Sequence, residues 1–262
     1  LDSKDSLRTA LKDSHTVFLV TNYWETANTD IEKTQGKNVA DIAKEFGVQH
    51  LIFSSLLNVT ETSNGRLTHV PHFDGKADIE QYIRDSGVPA TFYLPGYFMS
   101  NLEQVIRPGQ DGVLTLALPV GKDAKFPLID IKNDTGKLQD RIACRQSCAD
   151  NAIGKFVKAI IKKRSSVLGA RILGAAGYYT PTHILDTLSE VTGKKTHFAQ
   201  VDAATYKSFL PEFMAQEMLE NHFFIEEPGY YGGEGLEKSH EILEEKLVGW
   251  KGFVEKSTAF KA

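Results

Sequence analysis

Cysteine is nearly absent: Cys144 and Cys148 are the only two among 262 residues. Two are too few for a disulfide framework, and no neighbouring His or Cys completes a zinc site around their i,i+4 spacing. No bound metal and a reducing compartment are therefore expected. No apolar run approaches the roughly 18 residues of a membrane span. The opening residues also lack the basic-then-apolar pattern of a signal peptide, so a cytoplasmic or nuclear location is expected. Neither charge dominates: 30 Lys and Arg face 34 Asp and Glu, for a net charge of −4. A chain so balanced carries no electrostatic footprint for direct nucleic-acid binding. Its one dense basic cluster, Lys162-Lys163-Arg164, reads as a solvated helix end, where cations suit the dipole. Repeats and low-complexity linkers are missing as well.

What is present is an alternation of strands and helices. Thr16 to Val20 is a continuous apolar run, as in a strand buried on both faces. From about Asp30 to Phe46, Val39, Ile42, Ala43 and Phe46 make one helical stripe, with Thr29 or Asp30 to cap it and Gly47 to end it. His50 to Ser54 is the next strand. After a polar loop with Asn64-Gly65, a second helix spans about His72 to Asp85 and stops at Gly87. Ala90 to Leu94 follows as a third apolar strand. Strand–helix–strand–helix–strand at this spacing implies parallel pairing through right-handed crossovers, an α/β fold.

The second half is less regular. Strands are expected at Phe126–Ile131, Arg171–Gly174 and Thr196–Val201. Helices are expected at Phe156–Lys163, from Thr180 to Gly193, near Ala203–Phe209 and Pro211–Phe223, and from Ile242 to Val254 with Leu243, Leu247 and Trp250 inward. This suggests residues 1–124 as one domain, to which strand 171–175 returns, and 125–262 as a smaller α+β lobe.

A parallel sheet of this kind ordinarily holds a dinucleotide at its switch point, with the pyrophosphate on a Gly-rich turn after the first strand. No G-x-G-x-x-G occurs in the chain. The nearest stretch, Gly229-Tyr-Tyr-Gly-Gly-Glu-Gly235, neither follows a strand nor opens a helix and reads as a surface loop. The expectation is a partial Rossmann-like sheet whose first strands and phosphate turn lie upstream of Leu1, leaving an exposed edge on the strand Thr16–Val20.

Four ordered blocks carry a resemblance: Thr21-Asn22-Tyr23-Trp24-Glu25; Gln35-Gly36-Lys37; His72-Phe73-Asp74-Gly75-Lys76; and Pro95 through Asn101. Together with Pro127–Ile131 and the ending Trp250-Lys-Gly-Phe253, they resemble the NmrA-like family in its fungal style, atypical relatives of the short-chain dehydrogenases. The resemblance implies a Rossmann domain with a smaller lobe, and NADP or NAD in the cleft between them, held weakly where the phosphate turn is missing. By position, Thr21, Asn22 and Tyr23 would lie beside the cofactor. Lys76 would reach the nicotinamide ribose, while Pro95, Gly96, Tyr97 and Phe98 would line the nicotinamide end. Thr34 stands where several family members have a lysine, which removes one phosphate contact. Read without the family, Thr21 and Asn22 would cap a turn, Lys76 would pair with Glu80 at i,i+4, and Tyr97 and Phe98 would be core aromatics.

Reducing short-chain dehydrogenases use Tyr-x-x-x-Lys, in which the tyrosine passes the proton. Here the pair reads His72-x-x-x-Lys76, so His72 and Lys76 are the only catalytic candidates. The resemblance favours a dinucleotide-responsive regulator working through protein contact, with a GATA-type zinc-finger factor as partner. The alternatives are an atypical reductase of the isoflavone-reductase-like type and a non-functional fragment. Residues 138–155, which hold both cysteines and no periodicity, read as an insertion or a translated intron.

Overall fold

The computed structural model describes residues 1–109, 111–131 and 154–260. The chain opens on helix α1 (Lys4–Leu11), whose Ser3 side chain caps it by accepting from the Ser6 N–H. There follow β1 (Thr16–Leu19), α2 (Thr29–Glu45), β2 (His50–Ser54), the single turn α3 (Val59–Thr62), α4 (Pro71–Ser86) and β3 (Ala90–Pro95). The expected alternation is therefore present, with bounds within a residue or two. One cap differs: Asn28, rather than Thr29 or Asp30, accepts the N–H groups of Asp30 and Ile31. Its side chain is the first in the sequence able to turn back on the α2 terminus. Gly47 and Gly87 do end α2 and α4 in the left-handed conformation.

The middle of the chain runs β4 (Tyr97–Phe98), α5 (Met99–Val105), β5 (Arg107–Pro108), β6 (Leu114–Leu118) and β7 (Phe126–Ile129). It continues through α6 (Lys155–Lys162), α7 (Arg164–Val167) and β8 (Arg171–Gly174). Strands β1, β2, β3 and β8 form one all-parallel sheet in that order, with Val17 opposite Leu51, Phe53 opposite Phe92, and Leu94 opposite Leu173. Side chains alternate between its faces. Val17, Leu19, Leu51, Phe53, Phe92 and Leu94 join one core with Val39, Ile42, Ile79 and Ile83 of α2 and α4. Ile52, Tyr93 and Ile172 face the other way, onto Phe156, Val157 and Ile160 of α6. This period-two split requires every residue of β2 to be buried, and it is. β1, at the edge of the sheet among the described residues, instead leaves Thr16 and Phe18 partly exposed.

Helices α2 and α4 cross closely because glycine sits at the contact. A Cβ on Gly36 would lie 2.5 Å from Ile79 Cγ2, and one on Gly75 would lie 2.7 Å from Thr29 Cγ2. Such contacts are far inside van der Waals range, so the crossing depends on both missing side chains.

The last part comprises β9 (Gly177–Tyr179), α8 (Pro181–Thr192), β10 (Thr196–Gln200), α9 (Ala203–Ser208), α10 (Glu212–Phe224), α11 (Glu237–His240) and α12 (Trp250–Lys256). Two small sheets complete the fold: β10–β6–β5, and β4–β7–β9. Strand β6, the partner of β10 along five residues, was not anticipated from the sequence.

Two further expectations are corrected. The terminal helix covers only Trp250–Lys256; residues 241–249 run outside it. Glu244 and Glu245 pair with Lys162 and Lys158 of α6, and Leu243 and Leu247 pack on the α6 core. Tertiary contact with α6 thus prevails over helical periodicity. The Gly229–Gly235 stretch is not simply a surface loop, because Tyr230 and Tyr231 are buried. Their hydroxyls donate to the carbonyls of Pro95 and Leu94 at 3.1 and 3.0 Å, and so bolt this segment to the end of β3. Both cysteines, and residues 138–153 of the expected insertion, lie outside the described residues.

Candidate functional site

The carboxyl ends of parallel strands are where unpaired backbone groups and following loops gather, so ligands collect there. Thr21 lies just past β1 at this end, and Pro95 closes β3. Helix α4 begins at the same end and runs back along the sheet, bringing His72 and Lys76 there on one helical face.

Lys76 is the centre of a buried polar cluster. Its ammonium donates to the Thr21 carbonyl at 2.9 Å, to Thr21 Oγ1 at 2.8 Å and to Glu32 Oε1 at 2.5 Å. Thr21 Oγ1 in turn donates to Glu32 Oε1 at 2.7 Å. A lysine has three donors, and all three are occupied. Burial holds the Lys76 pKa below the usual lysine range, against the opposing pull of Glu32. The expected pairing with Glu80 is not made. Glu80 is buried deeper along α4 and serves Ser55, Arg84 and Arg171.

Glu32 was not singled out from the sequence, although a signal existed. It falls at i−4 from Gly36 and i−7 from Val39, on the apolar stripe of α2, where an acid has no business unless it has a partner. It is 1% exposed, and its second oxygen, Oε2, has no hydrogen-bond partner. Gly75 opposite leaves that oxygen room: a Cβ there would come within 3.4 Å of it.

His72 belongs to a second cluster, built by α10. Its ring Nδ1 donates to Glu217 Oε1, its backbone N–H donates to the same oxygen at 3.2 Å, and the Tyr23 hydroxyl donates to Glu217 Oε2 at 3.4 Å. Burial, reinforced by the Glu217 charge, pushes the Tyr23 phenol up to about 12. One turn along α10, Glu220 accepts the backbone N–H of His69 and its Nδ1, both at 2.7 Å. The α4 terminus has no side-chain cap of its own. Glu217, from a helix some 145 residues later in the chain, takes over that role at the His72 N–H, where the helix dipole favours negative charge, while Glu220 anchors the segment just before the helix. No local sequence signal announces such a pairing.

The other expected residues divide. Asn22 is exposed and precedes a 3-10 turn, Tyr23–Glu25, without bonding to it through its side chain. Trp24, 43% exposed, sets its ring 5.2 Å from that of His72. Gly96 is buried, while Pro95, Tyr97 and Phe98 are half-buried at the β3 end. Tyr97 packs edge-on against Phe126, and burial raises its phenol to about 12. Thr34 is not brought into either cluster by its hydrogen bonding: it is exposed, and its hydroxyl donates to the Asp30 carbonyl of its own helix. Besides Glu32 Oε2, the buried side-chain atoms without a partner among the described residues are Asn221 Nδ2 and His222 Nε2, both on α10.

The NmrA-like family model matches residues 1–255. This chain belongs to the NmrA-like family. An NmrA-like family domain-containing protein of Dictyostelium discoideum is 27% identical over 97% of this chain and 78% of its own length. The nitrogen metabolite repression protein nmr of Neurospora crassa is 28% identical over 79% of this chain, which spans 42% of that relative. The crystal structure of NmrA, a negative transcriptional regulator, in complex with NADP superposes with a TM-score of 0.75 at 18% identity. The match covers 97% of this chain and 76% of that one. The NmrA-like fold accounts for the parallel sheet.

Proposed function

We propose that this NmrA-like chain is an NAD(P)-binding regulator that reports dinucleotide occupancy through a protein partner rather than turning over a substrate. One observation carries the reading: the pair that stands where reductases place tyrosine and lysine is taken up inside the protein. Lys76 has its three donors filled by Thr21 and Glu32. His72 stands in the tyrosine position with Nδ1 bound to Glu217 on α10. A ligand that displaced Thr21 or His72 from these partners would act on α2 and α10 together, which suits a sensor.

The residues fit the nicotinamide half of such a ligand. Thr21 and Lys76 stand at the strand ends with donors that a ligand could draw away from Glu32 and the Thr21 carbonyl, Glu32 Oε2 offers an acceptor without a partner, and Pro95, Tyr97 and Phe98 supply a half-buried wall. Asn22 and Tyr23, beside Thr21, would lie along the same ligand. Bound there, the dinucleotide would supply a hydride-carrying ring whose redox state differs between its two forms. The chain's own residues orient the ribose and exclude water. The Neurospora relative, by name a nitrogen metabolite repression protein, and the NmrA structure, that of a negative transcriptional regulator, support a regulatory role; the family resemblance adds a GATA-type zinc-finger factor as the partner to test, at a nuclear or cytoplasmic site of action.

Calorimetric titration with NADP and NAD tests the reading. Saturable binding is expected, weaker than micromolar because no Gly-rich phosphate turn occurs in these residues, and Lys76→Met should weaken it at least about tenfold. Absence of saturable heat into the millimolar range would refute cofactor binding. Turnover of NADPH with a carbonyl or enone acceptor, abolished by Lys76→Ala, would refute the regulator.

A further inference from the structure

The two most exposed large apolar side chains among the described residues stand at one corner of the fold. Phe209, just past α9, is 57% exposed, and Phe213, in the first turn of α10, is 72% exposed. The other five lie between 38 and 43% and belong to other elements. Pro211 is exposed and Leu210 and Met214 are half-buried, so the run from Phe209 to Met214 is apolar but for Glu212. The corner is held from beneath. Tyr206 and Ala215 are buried, the Tyr206 hydroxyl meets His222 Nδ1 at 3.1 Å, and the Lys207 ammonium donates to Gln216 Oε1 at 3.3 Å. The two rings therefore sit on a fixed helix pair, not on a frayed end.

Two opposite charges accompany the rings. Lys207, two residues before Phe209, has only the neutral Gln216 as its partner. Glu212, next to Phe213, is exposed and has no partner among the described residues. A surface with an apolar centre, one uncompensated cation and one uncompensated anion complements itself about a two-fold axis. Rings then meet rings, and each Lys207 meets the other copy's Glu212. A bilayer fits less well, because anionic lipids select a surplus of Lys and Arg, and here an acid lies inside the apolar run.

We propose that the Phe209–Phe213 corner is a self-association surface, through which two copies of this chain pair about a two-fold axis. The pairing does not depend on the NAD(P) reading. Its strength follows from area. With about 200 Å² to a phenylalanine side chain, the two rings expose about 250 Å². That is roughly a third of the ~800 Å² that each side of a standard interface buries. The dimer is therefore weak and reversible, with a Kd of about 10 µM to 1 mM.

Sedimentation velocity tests this, without NAD(P) and at low ionic strength, where exposed charges are least screened. Over about 5 to 500 µM protein, the sedimentation coefficient of the wild-type chain should rise from monomer toward dimer. Phe213→Ser should weaken association at least about tenfold while leaving the circular dichroism spectrum unchanged. Lys207→Glu alone and Glu212→Lys alone each set like charges together at two places, and each should weaken it about fivefold or more. An equimolar mixture of those two variants brings opposite charges together at both places and should associate as tightly as wild type. Damage to the fold of either variant would not be repaired by mixing. A wild-type chain that stays monomeric to about 500 µM would overturn the proposal. So would association that survives Phe213→Ser, or that is not recovered in the mixture. Binding to phosphatidylserine vesicles by a chain that does not self-associate would overturn it too, and would assign the corner to a membrane.

Discussion

The Lys76–Glu32 pair allows the strongest quantitative test of the structure. The two charges meet at 2.5 Å with Glu32 only 1% exposed. At an effective dielectric near 20 their attraction is about 7 kcal/mol, but each ion surrenders several kcal/mol of hydration. The net worth of the pair is therefore small, while the cost of removing one member is large. Glu32→Gln keeps the shape and an acceptor for Thr21 and Lys76 but strands the ammonium; it should cost about 3–5 kcal/mol. With a urea slope of about 2–3 kcal/mol per M, the unfolding midpoint should drop by about 1–2 M. Glu32→Gln combined with Lys76→Met removes both charges and should recover most of that loss. The sign with pH is also fixed. In Glu32→Gln the folded-state lysine is pushed still further below its unfolded value of 10.5, so the defect eases progressively as pH rises toward that value and deepens as pH falls. Circular dichroism in urea at pH 7 and at pH 10 measures all three. A single-variant cost under about 1 kcal/mol, or a double variant equal to the sum of the singles, would refute the buried-pair account.

Other outcomes follow from the same structure. Gly36→Ala places a methyl 2.5 Å from Ile79 Cγ2 and should cost about 1–3 kcal/mol; adding Ile79→Ala should relieve the clash, as read by thermal midpoints of the single and double variants. His50 and His222 are both held near pKa 4 by burial, against 6.5 when free. The unfolded chain binds more protons between those values, so stability is full above pH 6.5 and falls by about 3 kcal/mol per histidine as pH drops to 4. Urea midpoints at pH 7 and pH 4.5 check the slope, and His222→Phe should flatten it. Tyr231→Phe loses only the hydroxyl that donates to Leu94 and should cost about 1 kcal/mol. By contrast, Phe213→Ser, at a side chain 72% exposed, should change stability by less than about 0.5 kcal/mol.

What the sequence by itself determined is local. The continuous runs Thr16–Val20, His50–Ser54 and Ala90–Leu94 marked strands, of which the last two are buried on both faces while the first leaves Thr16 and Phe18 partly exposed. The stripes between them, closed by Gly47 and Gly87, set the crossover helices. That much fixes a parallel α/β sheet and brings Thr21, His72, Lys76 and Pro95 to its carboxyl end, because connection rules leave few other ways to fold such a pattern. The partners of those residues were a different matter. Lys76 could have paired with Glu80 at i,i+4; only the crossing of α2 over α4, allowed by Gly36 and Gly75, puts Glu32 within its reach instead. Glu217 reaches His72 from 145 residues away, and His222 meets Tyr97 and Phe126 from three separate elements. Residues 241–249 have a helical pattern yet run as turns and irregular chain whose side chains meet α6. In each case the deciding interaction is long-range: buried charges and carboxylates take the partner that packing supplies, and spacing along the chain carries no record of it. The sequence placed the site, and the tertiary structure chose what each of its side chains holds.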